Sequence, residues 1–266
     1  SFPTRRSSDL YSSASDDVVI DLAAADPTIT VGFGQFAVRR LFSTESIVMA
    51  GGTLTFNADS EIDAALTFRR GQLAGTGDLT VTGPTTFAGE FDGALAAPLM
   101  SGLGTTTLLG DTTITINGAL GALELRGGRV LRLAGTATWL GGDIHVTGTP
   151  PGGPGGIEIA AGALLDLQGR HDLQADGGAG LVNEGTIRKS PGTQQSTLAI
   201  GMDVNTGTIE VLGGVLVLNQ GFVPPADSAL VNQGTIRLAG GDLILSPVGT
   251  SGTMNRVGRA SCRERV

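Results

Sequence analysis

Apolar and polar positions alternate from Thr208 onward, with Ile209 and Val211 on one side of a strand and Glu210 on the other. The alternation stops at Gly213-Gly214 and resumes with Leu216 and Leu218. Val217 is apolar too, so the second strand carries apolar side chains on both faces. The same order returns after Thr235: Ile236 and Leu238 inward, Arg237 outward, then Gly240-Gly241, then Leu243 and Leu245 inward. It is present near the N-terminus, where Ile47, Met49, Leu54 and Phe56 form the inward set around Gly51-Gly52. Each stretch predicts a strand, a bend and a second strand. Glycine accepts positive φ, so each pair can turn the chain sharply.

These stretches are copies of one frame. N-T-G-T-I-E-V-L-G-G-V-L-V-L (Asn205 to Leu218) and N-Q-G-T-I-R-L-A-G-G-D-L-I-L (Asn232 to Leu245) align over fourteen positions without a gap. G-T-A-T-W-L-G-G-D-I-H-V (Gly135 to Val146) and I-V-M-A-G-G-T-L-T-F (Ile47 to Phe56) fit it. N-E-G-T-I (Asn183 to Ile187) opens a further copy, with an insertion before Leu198. A two-strand unit buries too little to fold alone, so the copies must stack on one another. Asn183 to Asn205 is 22 residues and Asn205 to Asn232 is 27, a length that suits one turn of a parallel β-helix. At a strand spacing of about 4.8 Å, some 250 residues predict about eleven turns and a rod of about 50 Å. No hexapeptide beat is present, and the turn lengths are irregular, which favours the right-handed form. The expected fold is all-β, a right-handed parallel β-helix. The rival is an array of β-sandwiches with antiparallel pairing. The β-helix instead places Ile187, Ile209 and Ile236 in one inward stack. Thr149 to Gly156 and Phe222 to Asp227, both proline-containing, are the expected excursions.

Composition agrees with strands. There are 43 glycines and few aromatic residues, and no long helical periodicity is visible. Both ends differ from the interior. S-F-P-T-R-R-S-S-D-L (residues 1–10) resembles a translated sequencing adapter, and G-R-A-S-C-R-E-R-V (residues 258–266) resembles the same adapter read on the opposite strand. The expected organisation is therefore two adapter-derived tails around a repeat domain, residues 11–257, that is incomplete at both ends. The one cysteine, Cys262, falls in a tail, and the repeat domain keeps a single lysine, Lys189. With no other cysteine, neither a disulfide framework nor a cysteine-ligated metal site is available. The net charge of −8 and the lack of a basic stripe argue against nucleic-acid binding. No apolar run approaches the roughly 18 residues of a membrane helix.

The polar residues with a place in the frame are Asn183, Asn205 and Asn232. Stacked at one corner, their amides can bond to one another and to nearby backbone groups. Ser43 and Leu133 fill the equivalent slot upstream, so the ladder is expected only in the C-terminal part. Gly213, Gly214, Gly240 and Gly241 are the expected turn glycines. The arginines at 39–40, 69–70 and 126, 129 and 132 are expected on solvated outward faces. His145 and His171, the only histidines, are expected as surface strand residues without a third metal ligand at a recognisable spacing. Trp139 takes the slot of Val211 and Leu238 and is expected in the core. Asp16-Asp17 and Glu90-Phe-Asp92 are the closest acid pairs, and neither has a supporting catalytic pattern. Calcium-binding nonapeptides and a phosphate-binding Gly-rich loop are absent. No catalytic, cofactor-binding or metal residue is expected.

The N-x-G-T-I units followed by G-G-x-L-x-L resemble repeats of bacterial autotransporter passenger domains and filamentous-haemagglutinin-like adhesins. G-D-L-T-V-T-G-P-T-T-F-A-G (Gly77 to Gly89) fits the same type. The resemblance covers most of Ile47 to Leu245 and implies an extracellular or cell-surface bacterial protein. It implies a structural or adhesive role, as a rigid display stalk or adhesin scaffold, with glycans or proteins as partners and no membrane insertion by this segment. The alternative is a fragment of a carbohydrate-active β-helix enzyme, a polysaccharide lyase or hydrolase. That reading needs acids grouped with basic residues along one exposed face.

Overall fold

A computed structural model describes residues 13–22, 27–89, 97–116, 121–149, 155–219, 232–246 and 255–257. The two adapter-like tails, Cys262, the Glu90–Asp92 pair and the Phe222–Asp227 excursion lie outside the described residues, as does most of the excursion at 149–156.

The described residues form strands and turns, without a helix. Each turn lays down three strands in a fixed order. Thr105–Leu108 belongs to a first face, Thr112–Thr115 to a second and Ala122–Arg126 to a third; the next turn repeats this with Val130–Leu133, Thr136–Gly141 and Asp143–Thr149. The first face is a sheet of nine strands, one per turn. The second and third faces are joined in places, because Ile47–Phe56 and Leu66–Gly75 each run continuously around the corner between them. The chain is a parallel β-solenoid of about eight turns.

Pairing is parallel from Asp17 to Ser246, which excludes the sandwich. Among the described residues, the one antiparallel strand is Asn255–Val257, on the edge of Asp242–Ser246. Ile187 pairs with Ile209, and Ile209 with Ile236, so the three isoleucines share one column as expected. That column continues upward through Leu165, Ala137, Thr112, Thr85, Leu66 and Ile47. Beside it run Met49, Phe68, Phe87, Ile114, Trp139 and Leu167, all fully buried. Full burial of a Leu or Phe side chain contributes roughly 1.5–3 kcal/mol, so these columns are the main favourable term holding each turn to the next.

The turn count is lower than the eleven expected. Turn length ranges from 18 residues, between Ile29 and Ile47, to 29, between Ile144 and Leu173. The long turns contain residues 90–96, 117–120 and 150–154. A longer turn adds residues but no rise, so the eight steps span about 40 Å.

Candidate functional site

Turns in close register force backbone against backbone at the corners, and there the side-chain chemistry is distinctive. Asn183, Asn205 and Asn232 are in register at the corner that follows the first face. Asn183 Nδ2 donates to Asn205 Oδ1 at 2.6 Å and to the carbonyl of Thr208 at 3.2 Å; Asn205 Nδ2 donates to Asn232 Oδ1. The slot above them holds, in order, Ser43, Ile62, Val81, Leu108, Leu133 and Ile159. The ladder therefore begins abruptly. Asn183 is in register with Ile159, and its Oδ1 is buried and has no hydrogen-bond partner among the described residues.

Of the four expected turn glycines, only Gly214 has positive φ, at 67°. Its neighbours are glycine for a different reason. A Cβ on Gly213 would lie 2.9 Å from Pro191 Cα, one on Gly240 2.6 Å from the Leu212 carbonyl oxygen, and one on Gly241 2.6 Å from Val211 Cγ1. Close stacking on the previous turn, more than φ, excludes a side chain at these three.

Three basic residues are buried, two of them, Arg129 and His171, against expectation. Arg129 is 1% exposed, not solvated. Its Nε and Nη2 donate to Thr106 Oγ1, and its Nη1 to the carbonyls of Gly75 and Gly77. Burial pushes its pKa down to about 10, partly opposed by Asp78, so it stays protonated at neutral pH. Lys189 is equally buried and donates to the carbonyls of Leu167 and Gly169. In both cases a cation gathers carbonyl oxygens at a corner, where the strand ladder is interrupted. His171 is the third, buried and not on the surface, stacked on Trp139. Trp139 is in the core as expected, its indole N–H donating to the Gly142 carbonyl at 3.0 Å. His145 stays half-exposed on the third face.

The outward surface of the second face changes character along the rod. Thr67, Thr86, Thr113 and Thr138 follow one another in register over four turns. The same column then continues as Asp166, Arg188, Glu210 and Arg237. Glu210 lies between two guanidinium groups: Arg188 Nε at 2.9 Å from Oε2, and Arg237 Nη1 on Oε1. These arginines cover its carboxylate, so Glu210 points outward and is nonetheless buried. Asp166 accepts from Gln168 and Ser190. Elsewhere Asp17 pairs with Arg39, Arg126 with Glu124, and Arg132 with Glu158 at 3.4 Å. Asp16 is occupied by the Ser13 amide. Among the described residues, no three His, Cys, Asp or Glu side chains are grouped to hold a metal ion.

No protein-family model, curated protein or solved structure matches the chain.

The repeat alignment held a signal for Lys189. It fills the slot of Val211 and Leu238, so its inward direction was readable, though not its carbonyl partners. His171 stands directly before the Asp172–Thr197 pair, in line with Ser196 and Leu216. Arg129 lies outside every copy of the frame, and nothing in the sequence marked it.

Proposed function

We propose that this region is a rigid repeat segment of a secreted or cell-surface bacterial protein, serving as a display stalk or adhesin scaffold. The observation that supports it most is where the polar chemistry goes. Asn183, Asn205, Arg129, Lys189 and Glu210 direct their polar atoms at other turns of the stack, and so act on stacking. Stiffness then comes from backbone ladders along the rod, and specificity from the outer faces. The threonine strip from Thr67 to Thr138 and the charged strip from Asp166 to Arg237 are two chemically different surfaces on one face, suited to neutral glycans and to charged protein or glycan partners respectively. The resemblance to autotransporter passenger and filamentous-haemagglutinin-like repeats supports the same reading.

The decisive experiment sets this against the lyase or hydrolase reading. The whole chain is incubated with a panel of neutral and acidic polysaccharides, and new reducing ends and unsaturated products are followed. The scaffold reading expects no turnover above buffer, together with small-angle scattering from an elongated particle. Reproducible cleavage of any polymer, or scattering from a compact sphere, overturns it.

A further inference from the structure

Trp139, His171 and Lys189 come from three consecutive turns and meet inside the solenoid, at the corner between the second and third faces. The His171 ring is 1% exposed and stacks on the Trp139 indole, with centroids 4.9 Å apart and planes 20° apart. Neither ring nitrogen has a hydrogen-bond partner among the described residues. The carbonyls of Gly142 and Trp139 are near enough to favour a protonated ring, but they are not aligned as hydrogen-bond acceptors. Lys189 brings its ammonium to the same corner, held by the carbonyls of Leu167 and Gly169. Ser196 Oγ donates to the Gly169 carbonyl from the turn below.

We propose that the Trp139–His171–Lys189 seam is an acid-sensitive latch: the imidazole packs there only while neutral, and its protonation loosens these turns. A second positive charge beside a buried ammonium, in a space with no aligned acceptor, is only partly compensated. The charged groups around the ring divide as follows. Lys189 opposes protonation from the second face, and Asp143 favours it from the third. Asp172 follows His171 in the chain and donates its amide to Asp143 Oδ1. Asp166 is engaged by Gln168 and Ser190, and Arg188 is turned outward onto Glu210. Arg170 precedes His171 in the chain, and His145 is half-exposed one turn above.

The balance lies with the neutral form. Burial, followed by Lys189, lowers the His171 pKa below 6.5, against weaker opposition from the Gly142 carbonyl and Asp143. A basic group with a lowered folded pKa contributes full stability above its unfolded value. That contribution is lost as pH falls from 6.5 toward the folded value, by up to about tenfold in the folded-to-unfolded ratio per pH unit.

The chain has one tryptophan and two histidines, which makes the test direct. Tryptophan emission and the thermal midpoint of the whole chain are measured from pH 8 to pH 5. Emission is expected to shift to the red reversibly, and the midpoint to fall, below pH 6.5. His171→Phe keeps a ring on Trp139 without titrating, so both changes should flatten; His145→Gln should leave them as in the parent chain. Parallel curves for His171→Phe and the parent overturn the latch. Should His171→Phe fail to fold, the imidazole carbon signal is titrated in His145→Gln, which retains one histidine. A folded-state pKa at or above 6.5 there overturns the proposal, and one below it sustains it.

Discussion

Gly207 shows what one residue contributes to a stack. It is the third position of the N-x-G-T-I frame, shared with Gly185 and Gly234. A Cβ on Gly207 would lie 2.1 Å from the Gly185 carbonyl oxygen, and one on Gly234 2.0 Å from that of Gly207. Neither has a left-handed φ, so the constraint is backbone against backbone between turns. Gly32 is the natural control, because nothing lies within 4 Å of its Cβ position. Gly207→Ala is expected to destabilise by about 2–3 kcal/mol, since only backbone can give way, and Gly32→Ala by less than about 1 kcal/mol. Urea midpoints of the two variants decide this, and equal midpoints would remove the close-approach argument. The repetition of this glycine was visible in the sequence, but its reason was not. A single chain read in one dimension gives bends from φ preference, whereas distances to the previous turn exist only once the coils are stacked.

Strand phase is legible wherever one face is apolar, because a one-residue slip would turn every inward side chain outward. Ile47, Met49, Leu54 and Phe56 are all buried for that reason. Phase does not say how a polar residue in an inward slot is satisfied, and that is why Lys189 and His171 emerged only with the structure. The Asn column lies between these cases: its members were legible, and its hydrogen bonds depend on which turn lies above. Asn205, in the middle, both accepts from Asn183 and donates to Asn232. Replacing it with Leu leaves Asn232 Oδ1 without its donor and takes one of two acceptors from Asn183 Nδ2. Asn183 already has a buried, unpartnered Oδ1, so Asn183→Leu removes that penalty while continuing the apolar column below Ile159. Asn205→Leu is expected to cost about 2–3 kcal/mol and Asn183→Leu about 1 kcal/mol or less. A larger loss for Asn183→Leu, measured by thermal midpoint, would mean that the ladder is not held together from its middle.

At the scale of the whole molecule, strand pairing runs from each turn to its two neighbours, with Arg129 reaching one turn further, and stability is close to a sum over turns and interfaces. This permits a test that a globule with one core would fail. Removing residues 183–204 joins Val182 to Asn205 and deletes one full turn, the 22 residues between register-equivalent asparagines. The inward columns then close with suitable neighbours, and only the outward column sets like charges together, Glu210 beneath Asp166. Asn205 comes beneath Ile159, Ile209 beneath Leu165, Val211 beneath Leu167 and Leu218 beneath Leu173. The shortened chain is expected to keep its strand circular-dichroism signal, to lose one rise of about 4.8 Å in length by scattering, and to melt only a few degrees lower. Removing the first half of the same turn, residues 183–193, puts Gln194 after Val182 and brings third-face strands under first-face positions. Ser196 and Leu198 would then meet slots shaped for other residues, and the turns below could not stack in phase. That variant is expected to aggregate or to lose cooperative melting. If both deletions melt alike, or the full-turn deletion is the one that fails, the turn is not the unit of this fold.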